Sequence, residues 1–173
     1  MATTALIPVE EYLSTSYTDG DREYVDGEVL ERNVGERNHA RLQLLIASFL
    51  NANYGKFWSA TECRVRMSPT RFRIPDICLA TVRPGPEDGP LTDPPFLAIE
   101  VLSPDDRASD LEEKIRDYLA CGVKFVWVIN SRTRAGFVYT SDGMREAKDG
   151  VLRTEDPCIE LPLANIFEDG SSR

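Results

Sequence analysis

The chain has 173 residues, 42% of them hydrophobic, and its 29 acidic against 20 basic side chains give a formal net charge of −9. That length supports one buried core, and no Pro/Gly/Ser-rich stretch divides it, so residues 1–173 are expected to form a single domain with its core over about 8–167. The acidic balance excludes attraction to nucleic acid or an anionic membrane through overall charge and leaves only a local basic patch for that purpose. With no basic and apolar leader and no apolar run near ~18–20 residues, the protein is expected to be soluble and cytoplasmic.

Taken in chain order, residues 8–14, PVEEYLS, predict a short helix with Pro8 near its first turn. Glu23-Tyr24-Val25 and Glu28-Val29-Leu30-Glu31 flank Asp26-Gly27, the two-residue signal for a tight hairpin. Leu42, Leu45, Ile46, Phe49 and Leu50 recur at helical spacing, and Gly55 stands where that helix would stop. Two arginine-bearing strands are predicted next, Glu62 to Ser68 and Arg71 to Ala80, with a turn at Ser68-Pro69-Thr70. Residues 83–95, RPGPEDGPLTDPP, read as a mobile surface loop.

Phe96 to Leu102, FLAIEVL, is an apolar strand ended by Ser103-Pro104. Ser109-Asp110-Leu111-Glu112 matches a capping box opening a second helix with an apolar stripe of Leu111, Ile115, Tyr118 and Leu119, and Cys121-Gly122 closes it. Val123 to Ile129, VKFVWVI, suits a strand covered on both faces. A C-terminal meander follows, with turns at Ser141-Asp142-Gly143 and Asp149-Gly150 and a closing apolar segment before the SSR tail. Cys63, Cys78, Cys121 and Cys158 show no CxxC spacing and are expected to be reduced, packed thiols, and Trp58 and Trp127 to be core or interface aromatics.

The chemistry begins with a misfit. FLAIEVL holds six apolar residues and one carboxylate, Glu100, and IPDICL holds one more, Asp76. By the two-residue strand period Asp76 shares a face with Phe72, Ile74 and Cys78, and Glu100 with Phe96, Ala98 and Leu102. Removing a lone charge from water costs several kcal/mol unless a partner offsets it. Two readings account for the pair. In one, the acids share a cation such as Mg2+ or Mn2+, which takes oxygen ligands from one or two carboxylates and completes its shell with water and substrate phosphate. They would then repel each other, so Asp76→Asn is expected to leave the metal-free fold intact or more stable. In the other, Asp76 caps a backbone amide in the bend after Pro75, and Glu100 pairs with Lys114 as a structural ion pair. Lys114 sits about 40° from Tyr118 at the margin of the helix stripe, from where its stem can cross the packed face.

Pro75-Asp76, Glu100-Val101-Leu102-Ser103-Pro104, and Asp110 and Lys114 with Tyr118 resemble the signature of the Uma-two family, a branch of the PD-(D/E)XK restriction-endonuclease-like superfamily. The resemblance extends to Glu23-Tyr24-Val25-Asp26-Gly27-Glu28, which is similar to that family's ELIDGE opening, to Asn38-His39, and to Gly122 through Asn130, similar to its Gly-Val-x-x-x-Trp-x-(Ile/Val)-(Asp/Asn) strand. It implies an α/β (α+β) fold: a mixed β-sheet flanked by helices, with an N-terminal hairpin and a C-terminal β meander. It further implies a metal-dependent endonuclease acting on nucleic acid, DNA in the first instance, and a homodimer. Asp76 and Glu100 would be metal ligands with the carbonyl of Val101 as a third, and Glu23 an additional acid near the metal. Leu102 stands where the superfamily carries its lysine, so Lys114 would substitute from the helix.

Arg64 and Arg66 share one face of their predicted strand, and Arg71 and Arg73 one face of the next. A hairpin can present all four as a strip that grips phosphate, or they form an exposed face balanced by surface acids. His39 at a helix start is either a capping or surface residue or a phosphate contact. A non-catalytic binding or assembly module of the same fold, with the acids in an ion-pair network, is the alternative to the nuclease.

Overall fold

The computed structural model describes residues 6–18, 20–32, 37–85, 89–104 and 106–167. Residues 86–88 of the expected surface loop and the SSR tail lie outside the described residues. Pro8, with φ −62° and ψ 151°, is the N-cap of α1 (Val9–Ser14). Strands β1 (Glu23–Val25) and β2 (Glu28–Leu30) pair antiparallel. Between them Asp26 and Gly27 have φ of 50° and 102°, the left-handed pair that a type I′ turn requires. Helix α2 (Arg37–Tyr54) buries Leu42, Ile46 and Leu50 and stops before Gly55, as the spacing predicts.

The segment from Arg71 to Ala80 departs from expectation. It forms two strands, β5 (Arg71–Arg73) and β6 (Ile77–Ala80), in two different sheets. Pro75 has no N–H to give a ladder, and the N–H of Ile74 is donated instead to Oε1 of Glu23 at 3.1 Å. The two-residue period therefore does not run from Phe72 to Cys78. Phe72 packs with Tyr12 and Tyr24 in a small aromatic core, while Cys78 belongs to the main sheet.

Two further strands lie beside these. Strand β3 (Trp58–Thr61), whose WSAT sequence is too short and polar to announce itself, pairs antiparallel with β6. Strand β4 (Val65–Ser68) pairs with β5 and completes a four-stranded sheet ordered β2-β1-β5-β4. The 83–95 segment is pinned at Leu91, which exchanges backbone bonds of 2.8 Å with Arg64 and Arg66.

Strands β7 (Leu97–Leu102) and β8 (Phe125–Asn130) run parallel, joined by α3 (Ala108–Cys121). Helix α3 starts one residue before the expected cap. Arg107 is its N-cap without a side-chain bond, and Ser109 lies inside the first turn with its hydroxyl donated to Asp110 at 3.0 Å, so the capping box does not form. Gly122 ends the helix at φ 107°, the left-handed stop that glycine adopts without strain. Strands β9 (Ala135–Thr140) and β10 (Gly143–Glu146) extend a six-stranded sheet ordered β10-β9-β8-β7-β6-β3. The expected meander divides here, because β11 (Val151–Arg153) and β12 (Glu160–Pro162) form a separate pair, followed by α4 (Ala164–Phe167).

The main sheet is covered on both faces. Leu42, Ile46 and Leu50 of α2 cluster with Ile77, Leu97 and Ile99, and Ile115 and Tyr118 of α3 with Ala98, Val126 and Val128. Each fully buried aliphatic contributes on the order of 1.5–3 kcal/mol. Trp127 is fully buried, Trp58 half-buried, and Cys158 exposed, unlike the packed thiol expected there. Among the described residues no helix is long and apolar enough to cross a membrane.

Candidate active site

The break at Pro75 builds the site. It carries the chain from the smaller sheet to the larger and leaves Asp76 at the seam, one residue before β6. Ile77 pairs with Ile99 across the antiparallel ladder, so the next step of that register brings Asp76 alongside Glu100. The main chain of Asp76 is fixed, its carbonyl accepting from Gln43 Nε2 at 2.9 Å and from the N–H of Glu62 at 3.2 Å. Its carboxylate is engaged as well. Oδ2 accepts the Val101 N–H at 2.7 Å and lies 3.1 Å from His39 Nε2, and Oδ1 accepts from Arg32 Nη2 at 3.1 Å. The hydrogen bond to Asp76 raises the pKa of His39 above its ordinary value, against the effect of burial.

Glu100 projects from β7 toward α3. Tyr118 donates its hydroxyl to Oε1 at 2.6 Å, and the Lys114 ammonium lies 3.7 Å from Oε2. Lys114 and Tyr118 are four residues apart on one helical face, so both reach the same strand. Burial pushes the Glu100 carboxyl up to about 7; Lys114 pulls against this, and the charges of Asp76 and Glu23 add to it.

Glu23 is buried, not solvent-facing. Its Oε1 lies 3.0 Å from Lys114 Nζ and accepts the Ile74 N–H, while Oε2 accepts from Arg73 Nη1 at 2.9 Å. Burial opposes its charge, but Lys114, Arg73 and the Ile74 N–H outweigh that cost and lower its pKa. Lys114 is likewise held protonated against burial by Glu100 and Glu23.

Asp76, Glu100, Lys114, Glu23, His39 and Val101 thus line one cleft of about 830 Å3. Both features of the structural reading are present too, the Asp76 bond to a backbone amide and the Glu100–Lys114 pair. The four arginines do not form one strip. Arg66 pairs across the ladder with Phe72, and Arg64 lies over the Tyr12 ring at 4.8 Å with its Nη2 3.0 Å from Asp21. Arg71 and Arg73 alternate with Phe72 and so point to the other face. There Arg71 is bound by Asp26, Glu113 and Asp117, and Arg73 by Glu23, Glu113 and Asp117. These two arginines clamp β5 to α3 through a shared set of ion pairs.

Sequence reasoning missed Arg32 and Gln43, which no motif marks. It also missed Asp117, for which a signal existed, since Glu113 and Asp117 at i, i+4 form an acidic face matched by Arg71-Phe72-Arg73.

A divalent cation fits this donor set. Among the described residues no three His, Cys, Asp or Glu side chains are grouped to hold a metal. The two carboxylates and the main chain at Val101 are hard oxygen donors in an open cleft, a partial set of the kind Mg2+ completes with water and substrate phosphate. Burial first, and the charges of Asp76 and Glu23 after it, disfavour the ionised form of Glu100, a cost that a bound cation would relieve.

A family model described as "Uma2: Putative restriction endonuclease" matches residues 9–165. Among solved structures, the chain is similar to one described as "a putative nuclease belonging to DUF820" from Anabaena variabilis. The two share 21% sequence identity and a TM-score of 0.77, with 93% of this chain and 97% of that chain covered. At this identity the likeness establishes the fold. No curated protein matches the sequence.

Proposed function

Since the chain belongs to the Uma2 family, we propose that it is a divalent-metal-dependent nuclease that hydrolyses phosphodiester bonds, with DNA as its substrate and Asp76 and Glu100 as the metal-binding carboxylates. The reading is carried by one observation. Two buried carboxylates from neighbouring segments and the ammonium of Lys114 meet at a single cleft.

Bound there, Mg2+ or Mn2+ would supply Lewis-acid polarisation of the phosphate and a water of lowered pKa. The chain's own residues prepare for that chemistry. Tyr118 fixes Oε1 of Glu100 and leaves Oε2 toward Lys114. Lys114, kept charged, opposes the negative charge that develops on the phosphate, in the position that Leu102 leaves empty of charge. Glu23 anchors Lys114 and ties it to Arg73 and Ile74, so it acts as a positioning residue. His39, held on Asp76, offers a second donor to a phosphate in the cleft.

The ion pairs that Asp76 and Glu100 make with Arg32 and Lys114 favour one other reading, a non-catalytic module whose acids serve only the fold. Calorimetric titration with Mn2+ separates the two, combined with cleavage of a plasmid in Mg2+ or Mn2+. The nuclease binds the metal and cuts, and Glu100→Gln loses both. No metal binding and no cleavage of DNA or RNA by the wild type would leave the module as the account.

A further inference from the structure

The two oxygens of Asp76 are not held alike. Oδ2 takes the Val101 N–H at 2.7 Å and faces His39 at 3.1 Å, bonds that fix the carboxylate's orientation. Among the described residues, the side chain that holds Oδ1 is Arg32, through a single nitrogen at 3.1 Å. Charge-assisted bonds are commonly near 2.7–2.9 Å and arginine prefers to grip carboxylates with two nitrogens, so this is a loose contact for such a pair. The other terminal nitrogen, Nη1, points to a different acid and lies 3.7 Å from Glu62 Oε1. Asp76 is buried, whereas the Glu62 side chain is 54% exposed at the rim of the cleft. One guanidinium therefore stands between an inner and an outer carboxylate.

We propose that Arg32 is a built-in counter-cation that occupies the metal-binding oxygen of Asp76 and passes to Glu62 when a divalent cation enters, so that this exchange sets the metal affinity of the site. The proposal rests on the nuclease reading above. Without a metal, a buried Asp76 lacking a cationic partner would be costly, and Arg32 offsets that cost. With a metal bound, a guanidinium at Oδ1 would face a like charge, and Glu62 gives it a solvated place one guanidinium width away. Only Oδ1 has to be vacated, and the bonds that orient the carboxylate through Oδ2 remain. Arg32 is in this sense a positioning residue acting through Asp76.

The test is a calorimetric titration of the full chain with Mn2+, alongside thermal melts. Arg32→Gln removes the competing charge and should bind Mn2+ about tenfold or more tightly than wild type, a change of roughly 1.4 kcal/mol. Arg32→Lys restores a cation and should return the affinity toward wild type. Glu62→Gln removes the outer position, so it should weaken Mn2+ binding several-fold in the wild-type background and have no effect in Arg32→Gln. Binding by the wild type that Arg32→Gln does not tighten overturns this inference and leaves the nuclease reading standing. Absence of Mn2+ binding by both proteins overturns the nuclease reading and this inference with it. If Arg32→Gln does not fold, Glu62→Gln decides: weaker binding supports the exchange, and unchanged binding overturns it.

Discussion

Tyr118 donates its hydroxyl to Oε1 of Glu100 at 2.6 Å, linking the middle of α3 to β7 with both groups buried. This bond lets a carboxylate sit in an apolar layer formed by Ala98, Val126 and Val128. It also leaves the other oxygen, Oε2, turned toward Lys114. The helix that closes the hydrophobic core therefore orients the site as well.

Tyr118→Phe tests that link and should depend on pH. A hydrogen bond to a charged group is worth about 1.5–3 kcal/mol and one to a neutral group about 0.5–1.5. The variant should lose about 2 kcal/mol near pH 8, where Glu100 is ionised, and about half that near pH 5, where it is protonated. Urea unfolding at the two pH values measures the difference. Equal losses would mean that the hydroxyl does not serve the charge on Glu100.

The raised pKa of Glu100, about 7 against an ordinary 4.5, fixes the sign of a second effect. Between those values the native state keeps a proton that the unfolded chain has lost, so stability falls as pH rises. The contribution is fully present below 4.5 and gone once pH has passed through about 7. His39, raised above 6.5, has the same sign but acts from that value upward. Glu23, lowered below 4.5, acts at lower pH with the opposite sign. Glu100→Gln should therefore flatten the decline in apo stability between about 4.5 and 6.5, seen in melting temperatures across that range. Mn2+ affinity of the wild type should rise over the same interval, because the metal requires the ionised form.

Much of the fold was legible in the sequence because its signals are local. Asp26-Gly27 forms the turn its dipeptide predicts, and the apolar spacing of α2 and the Gly122 stop of α3 behave as single-residue chemistry dictates. The misfit of Asp76 and Glu100 in apolar surroundings likewise pointed to the cleft. What was hidden depends on which sheet a strand joins. Pro75 was visible as a residue, but that it hands the chain from one sheet to another depends on the distant Glu23 accepting the Ile74 N–H. The separation of Arg66 from Arg71 and Arg73 follows from register, and Arg32 reaches Asp76 across 44 residues of sequence.

Asp76→Asn illustrates the consequence. Repulsion between two acids predicts a metal-free protein at least as stable as wild type. Yet Asp76 accepts three bonds, from Arg32, His39 and the Val101 N–H. An amide cannot reproduce all of them, so the variant should lose about 1–3 kcal/mol in the apo state. It should also lose Mn2+ binding. Chemical denaturation with and without Mn2+ reads both effects, and an apo variant as stable as wild type would show that repulsion dominates.

Lys114→Met addresses the step on which the nuclease reading turns. The substitution keeps most of the side-chain stem and removes the charge that lies 3.0 Å from Glu23 and 3.7 Å from Glu100. Glu23 retains Arg73 and the Ile74 N–H, so the seam between the sheets should hold and the protein should fold with a lowered melting temperature. Glu100 keeps the Tyr118 hydroxyl but loses its cationic partner among the described residues, so its proton affinity should rise, moving the onset of Mn2+ binding to higher pH. Once that pH is reached the metal should still bind. Cleavage of DNA under single-turnover conditions should nevertheless fall by about two or more orders of magnitude, the scale typical of removing one electrostatic stabiliser of a transition state. Cleavage at the wild-type rate by a metal-saturated Lys114→Met protein would show that the ammonium serves the fold and not the phosphate.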